Sequence, residues 1–188
     1  IPPKERPLTG SDPVRVSSWS IRIETHPGGR NMPAQRIKID IDTSQSHTNE
    51  KRSLQLNYDF LPDSYGDLIL PVQSLREIMA NKLVAFPVSV QGRHRPRYRD
   101  IWDLRWLARR NVQPDLTMIS AKAIEHGVEG FEDCLETTIP RMDDIVGSAG
   151  FLGEMSRFLP SDVRDRSLDR EDWREETART LRNMMEEV

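Results

Sequence analysis

Three charged residues stand where packing alone would place apolar ones. In the run SLREIMANKLVAF from Ser74, the residues Leu75, Ile78, Met79 and Phe86 recur at helical spacing. Lys82 falls at the centre of their stripe, between Ile78 and Met79. A lysine in that position must snorkel to water, pair with a carboxylate, or hold an anion such as a phosphate. A second helical pattern, from about Arg99 to Arg110, puts Ile101, Leu104, Leu107 and Ala108 on one face. Asp100 lies between Leu104 and Leu107, and Asp103 at the edge of the same face. An acid in a first helical turn is commonly a dipole complement, worth roughly 0.3–1 kcal/mol. That accounts for Asp100 better than for Asp103, a turn further in. The Lys82 ammonium is therefore expected to meet Asp100 or Asp103, or to face a pocket bordered by a third acid, Asp40.

Asp40 belongs to the other candidate cluster. Arg36 to Thr43 reads RIKIDIDT, with Ile37, Ile39 and Ile41 on one side and Lys38, Asp40 and Asp42 on the other. Carboxylates at i and i+2 of a strand project from one face about 7 Å apart, close enough to share a divalent metal. The same pattern also describes the solvated side of a two-faced strand.

The elements that carry these residues follow from periodicity and turn chemistry. Residues 1–18 are rich in Pro, Ser, Thr and charge and read as a loop or arm. Trp19 to Thr25 alternates, with Trp19, Ile21 and Ile23 inward. His26-Pro27-Gly28-Gly29 begins a turn, and an antiparallel hairpin is the simplest join to the next strand. Ser44 to Arg52 reads as a mobile loop and Leu54 to Phe60 as a short strand. A turn follows at Pro62–Gly66, then a buried strand over Asp67 to Val72. Ser74 and Glu77 form a capping box for the lysine helix, and Pro87 is expected to stop it. Arg93, Arg95, Arg97 and Arg99 alternate through the connecting loop, where guanidinium forks suit phosphate oxygens as well as water.

Beyond Asn111 the chain reads as helical. One helix starts at Pro114-Asp115 with Leu116, Ile119 and Ala123 inward. A second carries Phe131, Cys134, Leu135 and Thr138 up to Pro140. A third runs from Phe151 through Phe158 and Leu159 to Pro160, and a charged last helix is marked by Trp173, Leu181, Met184 and Met185. These residues read as core.

The pattern S-L-x-E-I-x-A-x-K-L-x-A, a basic loop and R-D-I-W-D-L-x-W-L together resemble the AbiEii/AbiGii toxin family of nucleotidyltransferases. The resemblance runs from about Trp19 to the C-terminus. It implies that Lys82, Asp100 and Asp103 belong to a nucleotide-handling site. In polymerase-β-like nucleotidyltransferases a metal-binding carboxylate sits on a hydrophobic–acid–hydrophobic strand, which falls on Asp40, with Asp42 as alternate. The resemblance also implies Mg2+ held by Asp40 and Asp42, and a nucleoside triphosphate contacted by Lys38, Lys82, Arg93 and Arg99. An RNA (tRNA among the options) or protein acceptor and a cognate antitoxin would be the partners.

Gly28-Gly29 followed by Asp40-x-Asp42 imitates the family's opening motif, but that motif has a helix between glycine loop and acidic strand. NMPAQR is too short for one. With no opening Gly-Ser loop and first Asp-x-Asp, the 188-residue chain alone is expected not to transfer nucleotides. A non-catalytic nucleotide- or partner-binding module is the alternative reading.

Composition narrows the classes further. A net charge of −3 gives no global basic field of the kind that advertises nucleic acid. The single cysteine, Cys134, excludes an internal disulfide and fits a reducing cytoplasm. No apolar run approaches the roughly 20 residues that span a bilayer. The four histidines lack zinc-like spacing, and neither a P-loop nor a nucleophile elbow occurs. The expectation is an α+β chain: a small, mostly antiparallel sheet in a β-rich part over 1–72, then a helical bundle over 73–188 carrying the Lys/Asp motif. Its activity would be that of a nucleotidyltransferase-type toxin of a toxin–antitoxin or phage-defence pair.

Overall fold

Alternating strand patterns near the start and helical spacing after Ser74 produce an α+β architecture, seen in a computed structural model that describes residues 4–5, 16–24, 35–42, 44–92 and 96–188. Contacts group the chain into two units, Ile1–Gln45 with Glu125–Gly127, and Ser46–Ile124 with Val128–Val188.

The first unit holds a three-stranded antiparallel sheet in the order β1 (Lys4–Glu5), β2 (Val16–Ile23), β3 (Gln35–Asp42). The register pairs Trp19 with Ile39 and Ile21 with Ile37, so the apolar residues of both strands share one face. Ser18 is paired with Asp40 on the other face. Two expectations change here. The first 18 residues are not all arm: Lys4 pairs with Ser18, an edge that needs backbone groups rather than apolar side chains. Ile21 and Ile23, expected inward, remain exposed, as do Ile37, Ile39 and Ile41. Alternation tells which residues share a face, not whether another layer lies on it. The His26–Gly29 turn lies outside the described residues.

The second unit begins with a hairpin of β4 (Glu50–Ser53) and β5 (Ile69–Val72), joined through a 3-10 turn at Asp63–Asp67. Leu54 to Phe60 is irregular rather than a strand. Its chain direction is set by the Leu54 N–H donating to Leu68 O at 2.9 Å and by stacking of Tyr58 on Phe60. Nor is β5 buried, since Ile69, Leu70 and Val72 are exposed.

Among the described residues eight helices follow: α1 (Leu75–Gln91), α2 (Tyr98–Arg109), α3 (Leu116–Glu125), α4 (Phe131–Thr138), α5 (Met142–Gly147), α6 (Ala149–Met155), α7 (Ser161–Asp165) and α8 (Glu171–Glu186). Their shared core is built from Met79, Leu83 and Phe86 of α1, Ile101, Leu104 and Leu107 of α2, and Phe151 and Leu181 from later helices. Pro87 does not end α1, which continues to Gln91 with Pro87 and Val90 buried. An internal proline costs about 3 kcal/mol, and burial of the final turn offsets it. The third expected late helix stops at Met155, leaving Phe158 exposed. In α3, Leu116 faces solvent while Lys122 is buried. Among the described residues no helix is long and apolar enough to cross a membrane.

Candidate functional site

The α1 and α2 helices pack side by side because each presents an apolar stripe, and that packing brings Lys82 against the start of α2. Its Nζ lies 2.9 Å from Asp100 Oδ1 and 2.6 Å from Asp103 Oδ2. Asp100 is nearly buried, at 5% exposure. Lys82 is 21% exposed and Asp103 47%, so the cluster opens to solvent through Asp103. Arg97 adds a second cation that the sequence reading did not single out: its Nε is 2.9 Å from Asp100 Oδ2. That contact lacks hydrogen-bond geometry, so Oδ2 is a buried acceptor with no hydrogen-bond donor. The positive signal for Arg97 was its place three residues before Asp100.

Burial works against a charged Lys82, but the hydrogen bond to Asp103 and the charge and hydrogen bond of Asp100 outweigh it, raising the lysine above its ordinary value. A lysine held protonated in this way cannot serve as a general base near neutral pH. It can balance phosphate charge.

Other residues named from the sequence sit elsewhere. Arg99 points away from this cluster, with Nε 3.8 Å from Glu154 and its guanidinium over the Phe158 ring. Arg93 lies outside the described residues. On β3, in the first unit, Asp40 accepts from Ser18 Oγ at 2.5 Å and from Lys38 Nζ at 2.7 Å. Asp42 accepts from the Ser44 N–H at 3.0 Å and from its hydroxyl. Among the described residues no three His, Cys, Asp or Glu side chains form a metal-binding group. Mg2+ keeps several waters and needs only one or two protein carboxylates beside substrate phosphates. Asp40 and Asp42, on one strand face, fit that smaller requirement, with the Lys38 ammonium as the competitor at Asp40.

A further cluster went unread in the sequence. Glu77 and Lys122 are both at 0% exposure with 3.0 Å between Lys122 Nζ and Glu77 Oε1. Ser74 caps α1 by accepting from the Glu77 N–H at 3.2 Å, but the Glu77 carboxylate does not return to complete the box. It accepts from the His47 and Thr48 N–H groups at 2.9 and 2.8 Å and from the Thr48 hydroxyl at 2.5 Å. That hydroxyl in turn accepts from the Ser74 N–H. The segment expected to be a mobile loop is thus tied to α1. Burial raises the Glu77 pKa, yet the hydrogen bonds from Thr48, His47 and Lys122 together bring it from 4.5 to about 2.

The family model of the nucleotidyl transferase AbiEii toxin, type IV toxin–antitoxin system, matches residues 2–187, beginning ahead of Trp19. No curated protein and no solved structure matches the chain. The chain belongs to the AbiEii family of nucleotidyl transferase toxins.

Proposed function

We propose that the Lys82–Asp100–Asp103 cluster handles the nucleotide in a transfer from a nucleoside triphosphate to a hydroxyl of an RNA or protein acceptor. The observation that supports it is a half-buried, protonated lysine shared by two aspartates, the side chain of one of them open to solvent. Lys82 supplies charge to the triphosphate. Asp100 holds the ammonium in place, and the half-exposed Asp103 accepts a hydrogen bond from the acceptor hydroxyl. Arg97, beside Asp100, together with Arg93 and the α2 residue Arg99, adds cations for the phosphates, Arg99 by leaving Glu154. In this reading Asp40 and Asp42, within the first unit, hold Mg2+ once Lys38 leaves Asp40. Bound there, the ion would supply Lewis-acid charge to a phosphate. The setting would be a cytoplasmic toxin paired with an antitoxin, with phage defence as its role.

One observation favours the alternative of nucleotide binding without transfer: both Asp40 oxygens are already engaged, by Ser18 and Lys38. The test is thermal unfolding with each of the four magnesium nucleoside triphosphates. Ligand at a hundredfold excess over its dissociation constant stabilises by about 2.7 kcal/mol. Protection lost in Lys82→Ala and in Asp40→Asn is the expected result. Absence of protection by all four nucleotides at millimolar concentration would reject the site. Protection without radiolabel transfer to RNA or protein fits the expectation for the 188-residue chain alone as well as the binding module, whereas transfer by this chain would exclude the binding module.

A further inference from the structure

On the side of α2 opposite Asp100 and Asp103, a cavity of about 290 Å3 is lined by Arg105, Arg109, Arg166 and Arg170. At 100° per residue, Arg105 and Arg109 fall together on one side of that helix, about half a turn from the two aspartates. Arg166 closes α7, and Arg170 precedes α8. Two carboxylates share the cavity, so four cations face two anions in a chain whose net charge is −3.

The pairing within the cavity is uneven. Arg105 donates to Glu176 at 2.8 Å, and Arg170 lies 2.5 Å from Asp172. Among the described residues Arg166 has only a long contact, 3.4 Å, to Asp162 outside the lining. Arg109 is exposed on the same wall. A guanidinium carries five donors, so even the paired arginines retain N–H groups for a second acceptor. Trp173 forms part of the wall, but Arg105 lies over its ring at 4.7 Å and Trp102 packs at 5.5 Å. The ring is engaged in holding Arg105 rather than in stacking a base.

We propose that this cavity is an anion site for phosphate groups, reading charge and not base identity. Its ligand chemistry is the phosphodiester backbone of a nucleic-acid strand or a free phosphate. It goes beyond the transfer reading and does not rest on it. Binding is measured without nucleoside triphosphate or metal, so failure here leaves the Lys82 site standing.

The test uses the full chain, a labelled single-stranded RNA 12-mer of mixed sequence, and inorganic phosphate as separate probes. Arg109→Glu/Arg166→Glu should weaken binding of the responding probe at least tenfold. Arg109→Gln/Arg166→Gln, which adds no repulsion, should weaken it at least threefold. Both variants alter exposed side chains and should melt with the parent. If the source is a backbone, log K for the 12-mer falls steeply with log salt, and losing two phosphate contacts flattens that slope by about 1.4. If it is a free phosphate, inorganic phosphate binds and the 12-mer does not. Unchanged binding of both probes in the two variants, or no binding of either probe by the parent, would overturn the proposal.

Discussion

Helix α1 carries two lysine–carboxylate clusters little more than a turn apart, and they differ in everything except the charges. Glu77 and Lys122 are wholly enclosed, and the carboxylate takes donors from a lysine, a hydroxyl and two backbone N–H groups. Lys82, by contrast, reaches two aspartates of which one is 47% exposed, while Asp100 keeps an oxygen without a hydrogen-bond donor. A closed, fully satisfied pair fixes the segment before β4 onto α1 and α3. An open cluster, with Lys82 and Asp103 reachable from solvent, leaves something for a ligand to do. Chemistry follows from what the partners leave unsatisfied, not from charge burial alone.

The sharpest way to break this contrast is Lys122→Ala. It leaves the enclosed Glu77 carboxylate with neutral donors and no counter-charge, and removing one member of a buried pair costs about 3–5 kcal/mol. Urea unfolding should register that loss. Glu77→Gln/Lys122→Met, which removes both charges, should recover most of it. A loss below about 1 kcal/mol in Lys122→Ala would put the enclosed pair on the same footing as the open one.

Acid should separate the clusters next. The folded Glu77 pKa of about 2 lies below its ordinary 4.5, so the folded state binds its proton less readily. The stabilisation is therefore complete above about 4.5 and disappears as pH falls toward 2, on the order of 3 kcal/mol in all. Glu77→Gln should remove that limb of the stability–pH curve. A curve with the same acid slope in the variant would assign the limb to other carboxylates.

The open cluster was legible in the sequence and the closed one was not, for a physical reason. Lys82, Asp100 and Asp103 interrupt strong apolar periodicities, and a charge on an apolar stripe advertises a partner. Glu77 stood in a capping box that explained it locally, so nothing asked for a tertiary partner. Lys122 shares a short helix with Leu116, Ile119 and Ala123, and its burial is decided by which side of α3 meets α1. That choice exposed Leu116 instead. The faces of β2 and β3 and their antiparallel pairing were readable from alternation, whereas the exposure of Ile37, Ile39 and Ile41 was not, because coverage depends on a second layer. Pro87 misled for a related reason. The local rule against helical proline is outweighed once the following turn joins the core.

Substitutions in the open cluster should be gentler on the fold and harsher on the ligand. Lys82→Ala leaves Asp100 with Arg97 as its remaining cation, so about 1–2 kcal/mol of stability should be lost, well short of the Lys122 effect. Alkaline pH gives an independent check. Because the folded Lys82 pKa is raised, its contribution is complete below the ordinary 10.5 and is lost only as pH rises through the still higher folded value. Stability between pH 6 and 9 should thus be flat with respect to Lys82. A stability loss in that window that vanishes in Lys82→Ala would mean that the ammonium titrates early and that the two aspartates do not hold it.

The smallest expected stability change is also the most discriminating. Asp103 is 47% exposed, and its bond to Lys82, though only 2.6 Å long, competes with water on one side. Exposed pairs contribute about 0–1 kcal/mol, so Asp103→Asn should shift the urea midpoint by an amount near the limit of measurement. Asparagine keeps the size and one acceptor oxygen but removes the charge. Lys82 then retains Asp100 at 2.9 Å and stays in place. If Asp103 serves only to seat the lysine, protection by magnesium nucleoside triphosphate should be nearly that of the parent, or greater, since one anion near the phosphates is gone. If it receives the acceptor hydroxyl, protection should persist, and in any form of the protein that transfers label the transfer should fall by at least a hundredfold, the usual range for a positioned acid–base group. Loss of protection together with an unchanged fold would instead make Asp103 part of the nucleotide-binding surface, and the division between an orienting Asp100 and an acceptor-facing Asp103 would fail.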